Sequence, residues 1–383
     1  MSGEQDRRYL ARAIELASNG LYTTDPNPRV GCVIVKNNAV IGEGWHERAG
    51  GPHAEIMALN TAGQQARDSD VYVSLEPCSH HGRTPPCADA LVQANVSKVV
   101  VAGLDPNPQV AGQGVEKLKQ AGIEVECEPF PNLKVEAEKL NPGFIKRMKC
   151  QVPYVRTKIA ASLDGRTAMA SGESQWITDE LAREDVHRLR ARSSVILTGI
   201  GTVLADDPSL NVRLSTQELG SKVEFTDEDQ PARVILDSQL RMPADAKLLT
   251  GPGTTLIYTL SSDHGKIAAL EKVGAIVIRT ENEGGYVKLE SVLRNLAQRN
   301  YNEVMVEAGA SLNGALLEAG LVDELVLYQA PILMGDQAKP MFILPGITQM
   351  AQKIELSIKD TRQIGVDWRI IAHPNNRKFS ADL

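Results

Sequence analysis

Short runs rich in valine and isoleucine recur along the chain, and most are followed by a segment with helical spacing. VGCVIV, DVYVSLE, KVVVAGL and IEVEC come first; YVRTKIAAS, SSVILTG, ARVILDS, TTLIYTL, AIVIRT and EVMVEA come later. All have the length and side-chain type of strands. HAEIMALNTA, CADALVQAN, GVEKLKQAG and the segments near 179–192, 287–299 and 311–319 read as helices between them. Such alternation restricts a chain to α/β layers with parallel pairings. VGCVIVKNNAVIGEGWH adds a hairpin around Lys-Asn-Asn, preceded by a proline-punctuated loop, TTDPNPRVG. Residues 7–20, with Leu10, Ala13, Ile14 and Ala17 at helical spacing, form an amphipathic helix that Asn-Gly stops.

The chain has 383 residues, enough for two to three domains. Near 141–153 the pattern changes: NPGFIKRMKCQVP is basic and punctuated by proline and glycine, and a new strand follows. The expected domains are therefore 1–148 and 153–383. STQELGSKVEFTDEDQP lacks any period and reads as an exposed excursion at about 215–231. DELVLYQAPILM reads as a late strand.

Hydrophobic residues make up 42% and charged residues 23%, with a net charge of −7. An acidic chain does not suit wholesale binding to nucleic acid or anionic membranes, although a basic pocket for one phosphate remains open. The opening MSGEQDRRYL has no signal-peptide core, and no stretch approaches the roughly 18 apolar residues of a membrane span. A cytoplasmic location is expected. Five cysteines, an odd and scattered set, fit a reducing compartment. Cys32 lies in a strand run and reads as a buried small hydrophobe; Cys127 and Cys150 have no ligand-like neighbours.

His53, Cys78 and Cys87 are different. His53 sits where GGP ends and a helix begins, with Glu55 in the first turn, where the helix dipole tolerates a carboxylate. Cys78 follows Pro77 at a strand end, and Cys87 follows two prolines and opens a helix. Thiols near helix N-termini ionise easily. One imidazole and two thiolates leave the fourth tetrahedral position open to water, as catalytic zinc requires, and a nearby glutamate that is not a ligand can shuttle protons. H-x-E followed by P-C and a second cysteine is the pattern of zinc deaminases acting on nucleobases. The departure is the spacing, since eight residues, SHHGRTPP, separate the cysteines.

PNPRVGCVIV, PHAEIMAL and LEPCSHHGRTPPC closely resemble the deaminase half of the bifunctional riboflavin-biosynthesis deaminase/reductase family, in which the long inter-cysteine loop is the rule. KIAASLDGRTAMASGESQWIT, GTVLADDP and VEAGASLNGALLEAGLVDEL resemble its reductase half, so the likeness spans nearly the whole chain. The resemblance implies an α/β protein with a cytidine-deaminase-like domain followed by a dihydrofolate-reductase-like domain. It implies Zn2+ and NADPH as cofactors, with His53, Cys78 and Cys87 as metal ligands and Glu55 as acid/base. Asn27, His80 and Arg83 would meet the deaminase substrate.

In the second half the resemblance implies catalytic roles for Lys158 and Asp206, with Lys158 serving the sugar ring oxygen. Ser174, Arg190, Leu210, Arg213 and Glu307 align with substrate positions. Ala160, Trp176, Thr202, Asp206 and the loop Gly309, Ala310, Ser311, Leu312, Asn313, Gly314 and Ala315 align with cofactor positions. The two arginines suit a ribose phosphate, and the glycine-bearing strand-to-helix turn suits a pyrophosphate. Arg188 and Arg192 read as solvated helix-face charges.

The expected partner is a small pyrimidine ribose phosphate, with the chain in a homo-oligomer, dimer or tetramer. An alternative is a zinc deaminase acting on nucleic acid with an RNA-binding second domain. It calls for a basic face, stacking aromatics and tight cysteine spacing, whereas aromatics make up only 4% here. A zinc-stabilised scaffold without catalysis would not need Glu55.

Overall fold

In a computed structural model that describes residues 2–79, 86–108 and 110–380, the chain divides into two compact units. One holds the chain up to Cys150 together with Thr216–Phe225; the other holds Gln151–Ser215 and Thr226–Ser380.

The first unit runs α1 (Ser2–Ala17), β1 (Gly31–Lys36), β2 (Ala39–Trp45), α2 (Ala54–Ala62), β3 (Asp70–Val73), α3 (Cys87–Gln93), β4 (Lys98–Val101), α4 (Gln113–Gln120), β5 (Glu124–Cys127), α5 (Pro131–Leu140) and α6 (Pro142–Cys150). Its sheet has the order β2-β1-β3-β4-β5. β1 pairs antiparallel with β2 and β3, and β3, β4 and β5 are parallel.

Strand alternation divides this core by face. Cys32, Ile34, Val71, Val73, Val99 and Val101 pack with Ala54, Ala58, Leu91 and Leu118 on one side. Val33, Val35, Tyr72 and Val100 pack with Leu10, Ala13, Leu133 and Ala137 on the other. Helices thus cover both faces, which is why the strands read as near-continuous apolar runs. Gly44 sets how closely α2 can lie on the sheet: a Cβ there would come 2.5 Å from the Ala54 carbonyl oxygen.

The second unit runs β6 (Tyr154–Ser162), β7 (Arg166–Ala168), α7 (Glu180–Ala191), β8 (Val195–Gly199) and α8 (Ile200–Asp206). After α9 (Thr216–Leu219), which belongs to the first unit, come β9 (Ala232–Leu236), β10 (Thr255–Thr259), α10 (His264–Lys272), β11 (Ala275–Arg279), β12 (Asn282–Glu283) and β13 (Tyr286–Val287). The chain closes with α11 (Leu289–Gln298), β14 (Glu303–Val306), α12 (Ala310–Glu318), β15 (Glu324–Ala330), β16 (Lys339–Pro340), β17 (Leu356–Ile364) and β18 (Asp367–Pro374). The nine-stranded sheet has the order β11-β10-β9-β8-β14-β6-β15-β18-β17. It is parallel from β11 through β15, and β18 and β17 add antiparallel at one edge.

Several expectations change. NPGFIKRMKC, read as a basic, punctuated boundary, forms helix α6, with Pro142 in the first turn, where its missing N–H costs no hydrogen bond. The excursion contains a short helix, α9, and part of it joins the first unit. The late strand ends at Ala330, before Pro331. Helix α1 begins earlier than expected and gives way to a 3-10 turn at Ser18–Gly20. Arg192 is not a solvated charge: its Nε lies 3.6 Å from Glu303, a buried carboxylate that also pairs with buried Arg156 at 3.1 Å.

Candidate active sites

In the first unit three elements end at one point. His53 is the N-cap residue of α2, with extended backbone at φ −76° and ψ 163°. Cys78 lies beyond the end of β3, and Cys87 is the first residue of α3. The His53 Nδ1 is 3.6 Å from the Cys78 Sγ and 3.3 Å from the Cys87 Sγ, and the three candidate donor atoms lie within 4.8 Å of one another.

The N-terminus of α3 helps make a thiolate: the Cys87 backbone N–H donates to the Cys78 Sγ at 3.2 Å. Cys78 is pulled down to about 4 by the hydrogen bond from the Cys87 thiol, with His53 helping against the opposing effect of burial. Cys87 is pushed up by that same hydrogen bond and by burial. Glu55 is 3% exposed, and burial followed by the charge of Cys78 lifts its carboxyl to about 7. The donor set, one nitrogen and two sulfurs with a buried carboxyl beside them, fits zinc with an open position.

Residues around this point hold it in shape. His46 is 2% exposed, and burial lowers its pKa. As a neutral ring, its Nδ1–H donates to the Pro52 carbonyl at 2.9 Å and its Nε2 accepts from the Asn27 amide at 3.1 Å. Asn27 is thereby oriented, with its amide nitrogen turned to His46. The Glu76 carboxylate accepts N–H groups from Asp105 (3.1 Å), Gly112 (2.9 Å), Gly114 (2.9 Å) and Val115 (3.2 Å). It ties the start of α4 to the strand end that leads into Cys78. The sequence reading missed His46 and Glu76. A glutamate just before Pro-Cys, with glycines entering a helix later, was the available signal for Glu76. The expected substrate residues His80 and Arg83 lie outside the described residues.

The second unit holds another charged cluster, at adjacent parallel strands. Lys158 projects from the middle of β6, and Glu307 follows β14 directly. Their charged atoms are 4.0 Å apart. Arg190, on α7, grips Glu307 with both arms of its fork, at 2.6 and 3.0 Å. Burial alone would raise the Glu307 carboxyl, but Arg190 and then Lys158 bring it down to about 2. Burial lowers Lys158 more than Glu307 raises it.

The third Arg190 contact runs to the Asn211 carbonyl at 2.9 Å, beside Leu210 and Arg213. Ala160 shares the Lys158 face of β6 by strand alternation. Lys158 finds its carboxylate in Glu307, not in Asp206, which ends α8 exposed to solvent. Ser174 is half-buried, and Trp176 is exposed beneath the Arg183 guanidinium, 4.6 Å from its ring centroid.

Helices α8 and α12 start at the ends of neighbouring strands β8 and β14, so their backbone N–H groups open at the carboxyl edge of a parallel sheet, where nucleotides bind. Thr202 lies on α8; Gly309 caps α12, and Ala310 to Ala315 form its first turns. Asn313 is 1% exposed, its Nδ2 donates to the Ala308 carbonyl at 3.0 Å, and its Oδ1 is buried without a partner. The Thr198 hydroxyl, at the end of β8, is likewise buried and unpaired. The N–H groups of the two helix N-termini suit a cofactor's phosphates, while the unmet Asn313 amide oxygen suits a hydroxyl or N–H of the same molecule.

Residues 3–103 match the cytidine and deoxycytidylate deaminase zinc-binding region, and residues 153–370 match the RibD C-terminal domain. Fold and sites therefore define a two-part enzyme, a zinc-type deaminase followed by a pyrimidine reductase of the NADPH-using kind. The chain is 48% identical to the riboflavin biosynthesis protein RibD of Escherichia coli, over 95% of this chain and 98% of that one. It is 47% identical to the RibD of Haemophilus influenzae, over 97% and 98%. Among solved structures, Acinetobacter baumannii RibD superposes with a TM-score of 0.89 at 47% identity, covering 97% of this chain and 99% of that one. A Thermotoga maritima diaminohydroxyphosphoribosylaminopyrimidine deaminase/5-amino-6-(5-phosphoribosylamino)uracil reductase gives 0.82 at 32% identity, covering 98% and 100%. This chain belongs to the RibD family of bifunctional riboflavin biosynthesis proteins. The nucleic-acid-editing alternative is not favoured. Among the described residues, no helix is long and apolar enough to cross a membrane.

Proposed function

We propose that the first unit hydrolyses the 2-amino group from 2,5-diamino-6-ribosylamino-4(3H)-pyrimidinone 5′-phosphate. The second unit then reduces the ribosyl group to ribityl with NADPH, giving 5-amino-6-ribitylamino-uracil 5′-phosphate. The observation that carries this reading is the meeting of His53, Cys78 and Cys87 within 4.8 Å beside buried Glu55.

In the first step His53, Cys78 and Cys87 hold zinc, which supplies Lewis acidity to water when bound. Glu55, near 7, takes the water proton and delivers protons to the ring nitrogen and the departing ammonia. The Asn27 oxygen, held outward through His46, accepts an N–H of the pyrimidine. His80 and Arg83 meet the base or its phosphate.

In the second step NADPH, when bound, supplies the hydride. Ala160, Trp176, Thr202, Asp206 and residues 309–315 hold it. Asp206 serves there rather than as a partner of Lys158. Lys158 gives a proton to the ring oxygen as the sugar opens, and Glu307 keeps the ammonium charged and in place. Ser174, Arg190, Leu210 and Arg213 bind the ribose phosphate.

Residues 1–148 and 153–383 are the working domains in this reading. A cytoplasmic setting suits its five free cysteines. A dimer or tetramer would cover the edge strand β17, where Leu356 and Ile358 are exposed.

Incubating the protein with the diamino substrate and NADPH, with products resolved by mass, tests both steps. Ammonia release followed by NADPH oxidation is expected. No ammonia rejects the first assignment; ammonia without NADPH consumption rejects the second.

A further inference from the structure

Buried His187 has no place in either step so far, yet it lies in the charged cluster of the second unit. It projects from α7, one turn before Arg190, and is 8% exposed. Its Nδ1 accepts the backbone N–H of Arg213 at 3.3 Å. The stretch it grips needs external support. Asp207 and Leu210 both sit in the left-handed region, at φ 39° and 47°, which residues with side chains rarely adopt.

Three side chains provide that support. Arg190 donates to the Asn211 carbonyl at 2.9 Å. The Gln230 amide clasps Val212 from both ends, at 2.9 Å to its N–H and 3.0 Å to its carbonyl. His187 holds the next N–H along. Arg213 itself is exposed, so its placement depends on this backbone.

We propose that His187 is a positioning residue for substrate binding: its neutral ring accepts the Arg213 N–H and fixes the backbone from which Leu210 and Arg213 meet the ribose phosphate. The groups facing the ring favour the neutral form it needs. Arg190 on its own helix, Arg213 on the loop and Lys158 on β6 are cationic, and Glu307 after β14 opposes them. Burial first, then Arg190 and Arg213, take His187 down to about 4, so the acceptor persists at neutral pH. The inference rests on the reading that Leu210 and Arg213 bind substrate.

The test uses the full chain with zinc bound, the deaminated substrate and NADPH. His187→Leu removes the acceptor and keeps apolar bulk. His187→Asn places an amide oxygen close to where Nδ1 stood, and His187→Gln carries it one carbon too far. The expected result for His187→Leu is a KM for substrate raised about five- to tenfold, the range one lost hydrogen bond spans. NADPH affinity and kcat should stay within about twofold, and His187→Asn should restore KM.

An unchanged KM in His187→Leu overturns the proposal, as does a loss confined to kcat or to NADPH affinity. Should His187→Leu fail to fold, equal KM values for His187→Asn and His187→Gln overturn it. Arg213→Ala separates this proposal from the reading beneath it. If Arg213→Ala leaves KM unchanged, the substrate assignment of the loop fails. If Arg213→Ala raises KM and His187→Leu does not, only the positioning role fails.

Discussion

Glu55 and Lys158 are both buried ionisable groups whose proton affinity burial shifts first, upward for the carboxyl and downward for the ammonium. For Glu55, burial is the larger effect and lifts the carboxyl to about 7. Glu55→Gln keeps size and hydrogen bonding but cannot move a proton. Ammonia release should fall by about 10²–10⁴-fold with metal content unchanged, measured side by side with reductase activity on deaminated substrate, which should hold. Lys158→Met should abolish NADPH oxidation and leave ammonia release intact; turnover within a few-fold of the parent would remove Lys158 from the chemistry.

His187 and Glu307 add a pH dependence of stability. Both are depressed in the folded state, His187 from 6.5 to about 4 and Glu307 from 4.5 to about 2. Their stabilisation is complete above the ordinary values and is lost as pH falls through the folded ones. The second unit should therefore lose stability from about pH 6.5 downward, and His187→Asn should flatten the part of that slope between 6.5 and 4. Thermal melts across that range would show it.

The meeting of His53, Cys78 and Cys87 was legible because each marks an element boundary: Pro-His opening a helix, Pro-Cys closing a strand, Pro-Cys opening another helix. The Glu307 clasp was not legible, because Arg190 and Glu307 stand 117 residues apart and meet only through the order of parallel strands. His187 was invisible for the same reason. Its partner is a backbone N–H, which no side-chain pattern announces.

Among elements, α6 was misread because proline and glycine at its start looked like punctuation, although Pro142 sits where a helix has no hydrogen bond to lose. Gly44 gives this scale its test. A Cβ would stand 2.5 Å from the Ala54 carbonyl oxygen and 2.6 Å from the Ala58 nitrogen, so Gly44→Ala has to push α2 off the sheet. With α2 go His53 and Glu55. Expected are a stability loss of about 1–3 kcal/mol by chemical denaturation and a parallel drop in zinc content and ammonia release.

At the scale of the molecule the connection between units is short. Helix α6 ends at Cys150, Gln151 is exposed, and Val152 is already buried in the second unit. The basic residues near 141–153 belong to a helix rather than a flexible tether. Each unit has its own core, so each should carry its own ligand linkage. If zinc binds only the folded first unit, as proposed, a thousandfold excess over the dissociation constant contributes about 4 kcal/mol. Removing zinc with a chelator should lower one calorimetric transition and abolish ammonia release. A second transition, raised by NADPH, should keep its midpoint, and NADPH oxidation with deaminated substrate should continue. If the chelator shifts both transitions together, or stops the reductase, the two units do not work as independent modules.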